Sequence, residues 1–94
     1  MQILAVVRRR TERFSTEAFG PYLDAEAERV REFYAEGIVR GAWTRDDVPG
    51  ACLLLECASM DDAEAHMRTL PFVQREMSEY QLIPLRGYRG FGPR

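Results

Sequence analysis

Lysine and asparagine are absent from these 94 residues, and all thirteen basic side chains are arginine. Without lysine the chain has no route to Schiff-base chemistry. Histidine and cysteine are scarce as well. His66 stands alone, and neither Cys-x-x-Cys nor His-x-x-x-His spacing occurs, so the sequence supports no metal site. Cys52 and Cys57 lie five positions apart in one expected strand, face opposite ways and cannot easily bridge. Apolar runs are short: residues 3–7 fall far below the roughly 20 residues of a membrane helix, and no cleavable leader pattern precedes them. The expectation is a cytoplasmic protein with no membrane partner. Charge of one sign is lacking too. The thirteen arginines face fifteen acids for a net charge of −2, so even the arginine-rich residues 8–13 do not point to nucleic acid. Glycine-rich phosphate loops and Ser/His/Asp or Cys/His constellations are missing, since Gly87-x-x-Gly90 is too weak a pattern and follows the last strand.

What is present is enough to fold. With 46% apolar residues and little net charge, the chain should form one globular domain over residues 1–94. A chain of this size buries only about 60–65% of its unfolded surface, which leaves little interior to enclose a ligand without a partner subunit. Self-association is therefore expected from the start.

Residues 2–8 (QILAVVR) read as a buried strand, followed by a solvated loop over 8–13. Ser15 or Thr16 offers an N-cap to a helical pattern over 16–36, interrupted at Gly20-Pro21, with Phe19, Tyr22, Leu23, Ala27, Val30, Phe33 and Tyr34 on one face. Gly37 is the expected stop. Residues 38–45 and 51–58 form a hairpin about the turn at 46–50. Ser59 caps a second helix with Met60, Ala63, Met67 and Leu70 as its apolar stripe, and Leu70-Pro71 ends it. A short helical turn over 72–79 leads to a last strand at 80–88, where Pro84 implies an edge position or a bulge. The tail over 89–94 reads as irregular and long enough to reach a partner. The order strand, helix, strand, strand, helix, strand predicts an α+β fold: a ferredoxin-like βαββαβ protomer, its four-stranded antiparallel sheet carrying two helices on one face. The other face, with Val6 and Leu54, would be a bare apolar patch, and two such sheets packed face to face would cover it.

Glu26 is the most informative single residue. The helical wheel puts it among Tyr22, Leu23, Val30 and Phe33, where burial would raise its carboxyl pKa and poise it for proton transfer. It could instead sit on the flank and pair with Arg29 or Arg31. Arg40 and Trp43 fall on opposite faces of the second strand by parity. Arg40 could neutralise Glu26, clamp a substrate carboxylate or form a surface ion pair, and Trp43 could floor a pocket or simply pack. Glu56 shares a face with Cys52 and Leu54, either paired inward or at an exposed edge. His66 lies off the apolar stripe of its helix, on a solvated flank, but an imidazole remains a candidate general acid or base. Tyr22 is one of four tyrosines able to supply a pocket hydroxyl.

Residues 26–43 (EAERVREFYAEGIVRGAW) resemble the muconolactone isomerase family, in which a helix with an inward glutamate ends in glycine and feeds a strand carrying arginine and then tryptophan. Ser59-x-Asp61-x-Ala63, Leu70-Pro71 and Ile83-Pro84-Leu85 are similar to that family's second helix and last strand. The resemblance implies a dimeric α/β barrel of ferredoxin-like protomers, a homodimer or higher homo-oligomer with no cofactor. It also implies that Glu26, Arg40 and Trp43, with Glu56, are pocket positions. The first strand lacks the histidine found near its start in the isomerase, which leaves the substrate open. The implied activity is a cofactor-free isomerase or cyclase-like reaction on a small unsaturated acid, lactone or aromatic-derived metabolite. The same architecture also serves cofactor-independent monooxygenases of antibiotic biosynthesis and non-catalytic small-molecule-binding or assembly modules.

Overall fold

The computed structural model describes residues 1–92, so the last two positions of the expected irregular tail, Pro93 and Arg94, lie outside the described residues. Strand β1 (Gln2–Arg9) alternates buried and partly exposed side chains, as its apolar pattern requires. A short helix α1 (Thr16–Phe19) and a 3-10 turn at Gly20–Tyr22 lead into helix α2 (Leu23–Ala35). The break falls at Gly20-Pro21, where the proline ring removes a backbone donor. Gly37 follows α2 with φ 80°, the left-handed conformation that lets the chain turn back toward the sheet. Strands β2 (Val39–Thr44) and β3 (Gly50–Glu56) form the hairpin, helix α3 (Met60–Met67) and the one-turn helix α4 (Pro71–Gln74) follow, and β4 (Ser78–Leu85) closes the sheet.

The sheet order is β2-β3-β1-β4, and every neighbouring pair is antiparallel. The chain is α+β with a ferredoxin-like topology, since each helical connection joins strands separated by one other strand. β4 is an edge strand, so Pro84 leaves no ladder bond unmade on its outer side. Ser59 Oγ accepts the Asp62 N–H at 3.1 Å, satisfying one free donor of the first turn of α3.

Ile3, Ala5 and Val7 of β1 and Leu53 and Leu55 of β3 meet Phe33, Ala63 and Met67 from the helices, and Leu70 from the link between α3 and α4, in one core. A second cluster of Phe19, Phe72 and Met77 closes one end. The inward face of α2 differs from expectation. Leu23 and Tyr34 are 44% and 69% exposed and Ala27 is exposed, whereas Phe19, Val30 and Phe33 turn inward. Leu23, Ala27 and Tyr34 all lie on one edge of the expected stripe within the regular helix α2, so the buried face is narrower than the wheel suggests and centred nearer Glu26 and Phe33. The strands also shift by one to three positions: β4 begins at Ser78 and ends at Leu85.

The largest departure is a β-bulge. Val39 pairs with Leu55 and Gly41 with Leu54, so Arg40 is an extra residue on β2. The bulge resets the parity of the strand. Ala42 and Thr44 align with the helix side, and Gly41 and Trp43 with the open side beside Leu54 and Cys52. Gly41 makes room there for the indole, since a Cβ on it would lie 2.6 Å from Trp43 Cη2.

Candidate functional site

A cleft opens between α2 and the sheet at the end where β1 finishes and β4 begins. Its inner space of about 150 Å³ is bounded by Arg9, Glu26, Val30, Thr44, Phe72 and Ser78, among others. An outer space of about 360 Å³ shares Arg9, Glu26, Thr44 and Phe72 and extends to Leu23 and the rim at Trp43. The fold places each polar group for a local reason. Glu26 projects from the first turn of α2 on the Val30 and Phe33 side. Arg9 continues the inward parity of Ile3, Ala5 and Val7. Ser78 stands opposite Arg9 in the register of β1 and β4.

Glu26 Oε1 accepts the backbone N–H of Phe72 at 2.9 Å. Pro71 has no N–H to offer, so this donor at the start of α4 would otherwise lack an intrahelical partner. Burial pushes the Glu26 carboxyl up from the ordinary carboxylate range, against the pull of the Phe72 N–H and the Arg9 charge. The Arg9 guanidinium lies against two aromatic rings, its carbon 5.0 Å from the Phe19 centroid and 5.3 Å from that of Phe72. It forms no salt bridge among the described residues. The cleft thus holds a desolvated carboxyl group and an unclaimed cation between apolar walls, a combination suited to moving a proton on a small molecule.

The other expected site residues are dispersed. Arg40 is exposed at the bulge and borders neither space that Glu26 borders. Arg29 and Arg31, the alternative partners of Glu26, turn to Glu32 and Glu28 instead. Trp43 reaches the outer rim, but its indole lies over Gly41 and is 57% exposed. Glu56 is exposed on the open face, 3.6 Å from the Met1 amine. Tyr22 stacks under Arg75, whose guanidinium carbon is 4.0 Å from its ring centroid, and lines a separate surface hollow. His66 is half-buried, its ring edge-on to Phe33 at 5.4 Å. Sequence reasoning missed Arg9 and Ser78. Both were accessible by parity, Arg9 by counting on from Val7 and Ser78 by counting back from Tyr80.

No protein-family profile and no curated protein matches the chain. Its three-dimensional form does have a match. The 5-chloro-2-hydroxyhydroquinone dehydrochlorinase of Burkholderia phenoliruptrix, solved in complex with 2,5-dihydroxybenzoquinone, superposes with a TM-score of 0.78 at 14% identity. The match covers 96% of this chain and 98% of that one. The chain has the protomer fold of a dimeric α/β barrel. At 14% identity this likeness establishes the fold, and the chemistry of the cleft rests on the chain's own residues. In this barrel-type protomer the cleft lies on the helix side of the sheet. The opposite face presents Leu4, Val6, Cys52, Leu54 and Ile83 partly exposed, beside the exposed Trp43 and Leu85. No helix among the described residues is long and apolar enough to cross a membrane.

Proposed function

We propose that the chain is a small-molecule enzyme of the muconolactone isomerase type that moves a proton on an unsaturated acid, lactone or aromatic-derived metabolite, with Glu26 as the proton carrier. The observation that carries the reading is the position of Glu26: a carboxyl desolvated enough to be raised in pKa, held by one backbone donor, at the border of both cleft spaces. As carboxylate, Glu26 removes a proton from the carbon α or γ to a carbonyl. The electron pair of the broken C–H bond passes into the dienolate. The Glu26 acid then returns the proton to a different carbon, so nothing is oxidised or reduced. The negative charge on the carbonyl oxygen falls within the field of Arg9. Arg9 takes the part expected of Arg40, which is exposed and borders neither cleft space.

The working form we propose is a homodimer in which the open sheet faces pack on each other. Supporting this are the run of part-exposed apolar side chains on that face and a fold shared with dimeric barrels. Cys52 and Cys57 are free thiols, which fits a reducing compartment such as the cytoplasm. The activity is tested with a panel of five-membered unsaturated lactones bearing a carboxylate, followed by absorbance. The wild-type protein should isomerise at least one, and Glu26→Gln should lower kcat by roughly 10²–10⁴-fold while retaining the fold. Undiminished turnover by Glu26→Gln, or none by the wild type across the panel, counts against the reading.

A further inference from the structure

We propose that Arg9 and Ser78 together form a seat for an anionic oxygen carried by a single small ring, set across the inner cleft from Glu26. The proposal rests on the reading above only for the bound molecule's being a substrate; the seat itself follows from three independent features. The first is Ser78. It is 4% exposed, and its Oγ has no hydrogen-bond partner. Among the described residues it is the one buried side-chain polar atom in that condition. A hydroxyl carries one donor and two acceptor sites, and leaving it unpaired in an interior is unfavourable where alanine would avoid the problem. An unsatisfied buried hydroxyl calls for a partner from outside the chain, and Ser78, the residue that carries it, borders the inner space.

The second feature is the pairing of Ser78 with Arg9. They stand opposite each other across β1 and β4, so the two side chains leave neighbouring strands toward the same side, with Cβ atoms about 4.5–5.5 Å apart. The guanidinium is held against Phe19 and Phe72 and makes no salt bridge among the described residues. Glu26, the nearest acid bordering the cleft, spends one oxygen on Phe72 instead. A charged donor set and a neutral hydroxyl, both lacking an acceptor, therefore border the same space.

The third feature is size and lining. A space of about 150 Å³ is that of a cavity able to hold one benzene ring, and Val7, Leu53, Leu70 and Phe72 give it apolar walls. A ring without a polar substituent would leave both donors unmatched, and an uncharged polar one would leave the guanidinium charge without a counter-charge. A ring bearing a carboxylate or a phenolate would satisfy both, with the guanidinium and hydroxyl donating to the same oxygen or to a pair on one carbon.

The test uses benzoate, 4-nitrophenolate and the uncharged benzamide as probes, titrated into the ¹⁵N-labelled full chain at a pH where both acids are ionised. At least one anion should shift the backbone amides of Arg9, Phe72 and Ser78, and benzamide should bind at least tenfold more weakly. Preference for benzoate identifies a carboxylate ligand, and preference for 4-nitrophenolate a phenolate. Ser78→Ala should weaken the better anion about tenfold, and Arg9→Met, which keeps an apolar stem against the two rings, should weaken it further. The urea midpoint of Ser78→Ala should equal or exceed that of the wild type, because its hydroxyl has no partner to lose. A lowered midpoint would mean that the hydroxyl serves the fold and would overturn the proposal. So would equal binding of benzamide, shifts confined to other amides, or anion affinity unchanged in Ser78→Ala. Glu26→Gln separates the two readings: it should bind the anion at least as tightly as wild type. Retained turnover in that variant would remove the proton-transfer reading while its retained binding still supports the seat.

Discussion

Truncating Trp43, the only tryptophan, should break the proposed dimer without unfolding the protomer. The indole stands on the open face of the sheet, 57% exposed, beside Cys52 and over Gly41, and takes no part in the core beneath the helices. A tryptophan buries roughly 150–250 Å², so about 85–140 Å² of it remains to be covered by a partner. At about 25 cal/mol per Å² this contributes ~2–3.5 kcal/mol per copy. A two-fold interface counts the residue twice, while ordering and desolvation take back part of the gain. Trp43→Ala should therefore raise the dimer dissociation constant by at least about 100-fold, or ~2.7 kcal/mol. Sedimentation equilibrium over a concentration series measures the change, and in the wild type dilution should shift Trp43 emission to the red as the dimer separates. The same variant should unfold as a monomer with a stability within about 0.5 kcal/mol of wild type, as surface substitutions do. A dissociation constant unchanged by the substitution, or a wild-type chain still monomeric at roughly 100 μM, would refute this use of the open face.

Ser59→Ala removes the hydroxyl that accepts the Asp62 N–H and should cost about 1 kcal/mol, read as a lower urea midpoint with an unchanged slope. Tyr80 donates to the Glu64 carboxylate, and burial together with this bond pushes its phenol up to about 12. Because the folded-state value lies above the unfolded one, the contribution of Tyr80 is complete below pH 10 and is lost as the pH rises toward 12. Tyr80→Phe should thus make the alkaline side of the stability profile shallower, and an ultraviolet titration should lose its phenolate step near pH 12. A profile and titration unchanged by the substitution would contradict the assignment. Glu26 follows the same sign. Its raised carboxyl favours the folded state at acid pH and costs stability as the pH rises through its ionisation, so Glu26→Gln should gain on wild type between acid and neutral pH in parallel melts.

Much of the fold was legible because its signals are local. The Ser59 cap, the left-handed Gly37 and Pro84 on an edge strand each act within a few residues, and their order alone suggested the split βαβ arrangement. The site was less legible because its geometry depends on register. Nothing in residues 38–45 announces that Arg40 is a bulge, yet that one extra residue, counted on from the buried Val39, turns Trp43 to the open face and leaves Arg40 exposed without a partner in the ladder. Arg9 was hidden for another reason. It sits among Arg8, Arg10 and Arg13, and a run of like charge reads as solvated. The run does not behave as one: Arg13 is exposed and Arg8 pairs with Glu12 and Glu79 on the far side of the sheet, while Arg9 lies against Phe19 and Phe72. Ser78 fell outside the expected last strand. The inward placement of Glu26 was legible because its signal, an acid at an apolar helical position, survives the small rotation of the α2 face.

The central claim is that Glu26 moves a proton between carbon atoms of a molecule bound in the cleft. Its most direct measurement is deuterium incorporation from heavy water into the unsaturated lactone that the protein turns over, followed by proton NMR for the wild type and Glu26→Gln. The account predicts label at the carbon α or γ to the carbonyl with wild type, and incorporation slower by roughly 10² or more in Glu26→Gln. Equal rates of incorporation in the two proteins would contradict it.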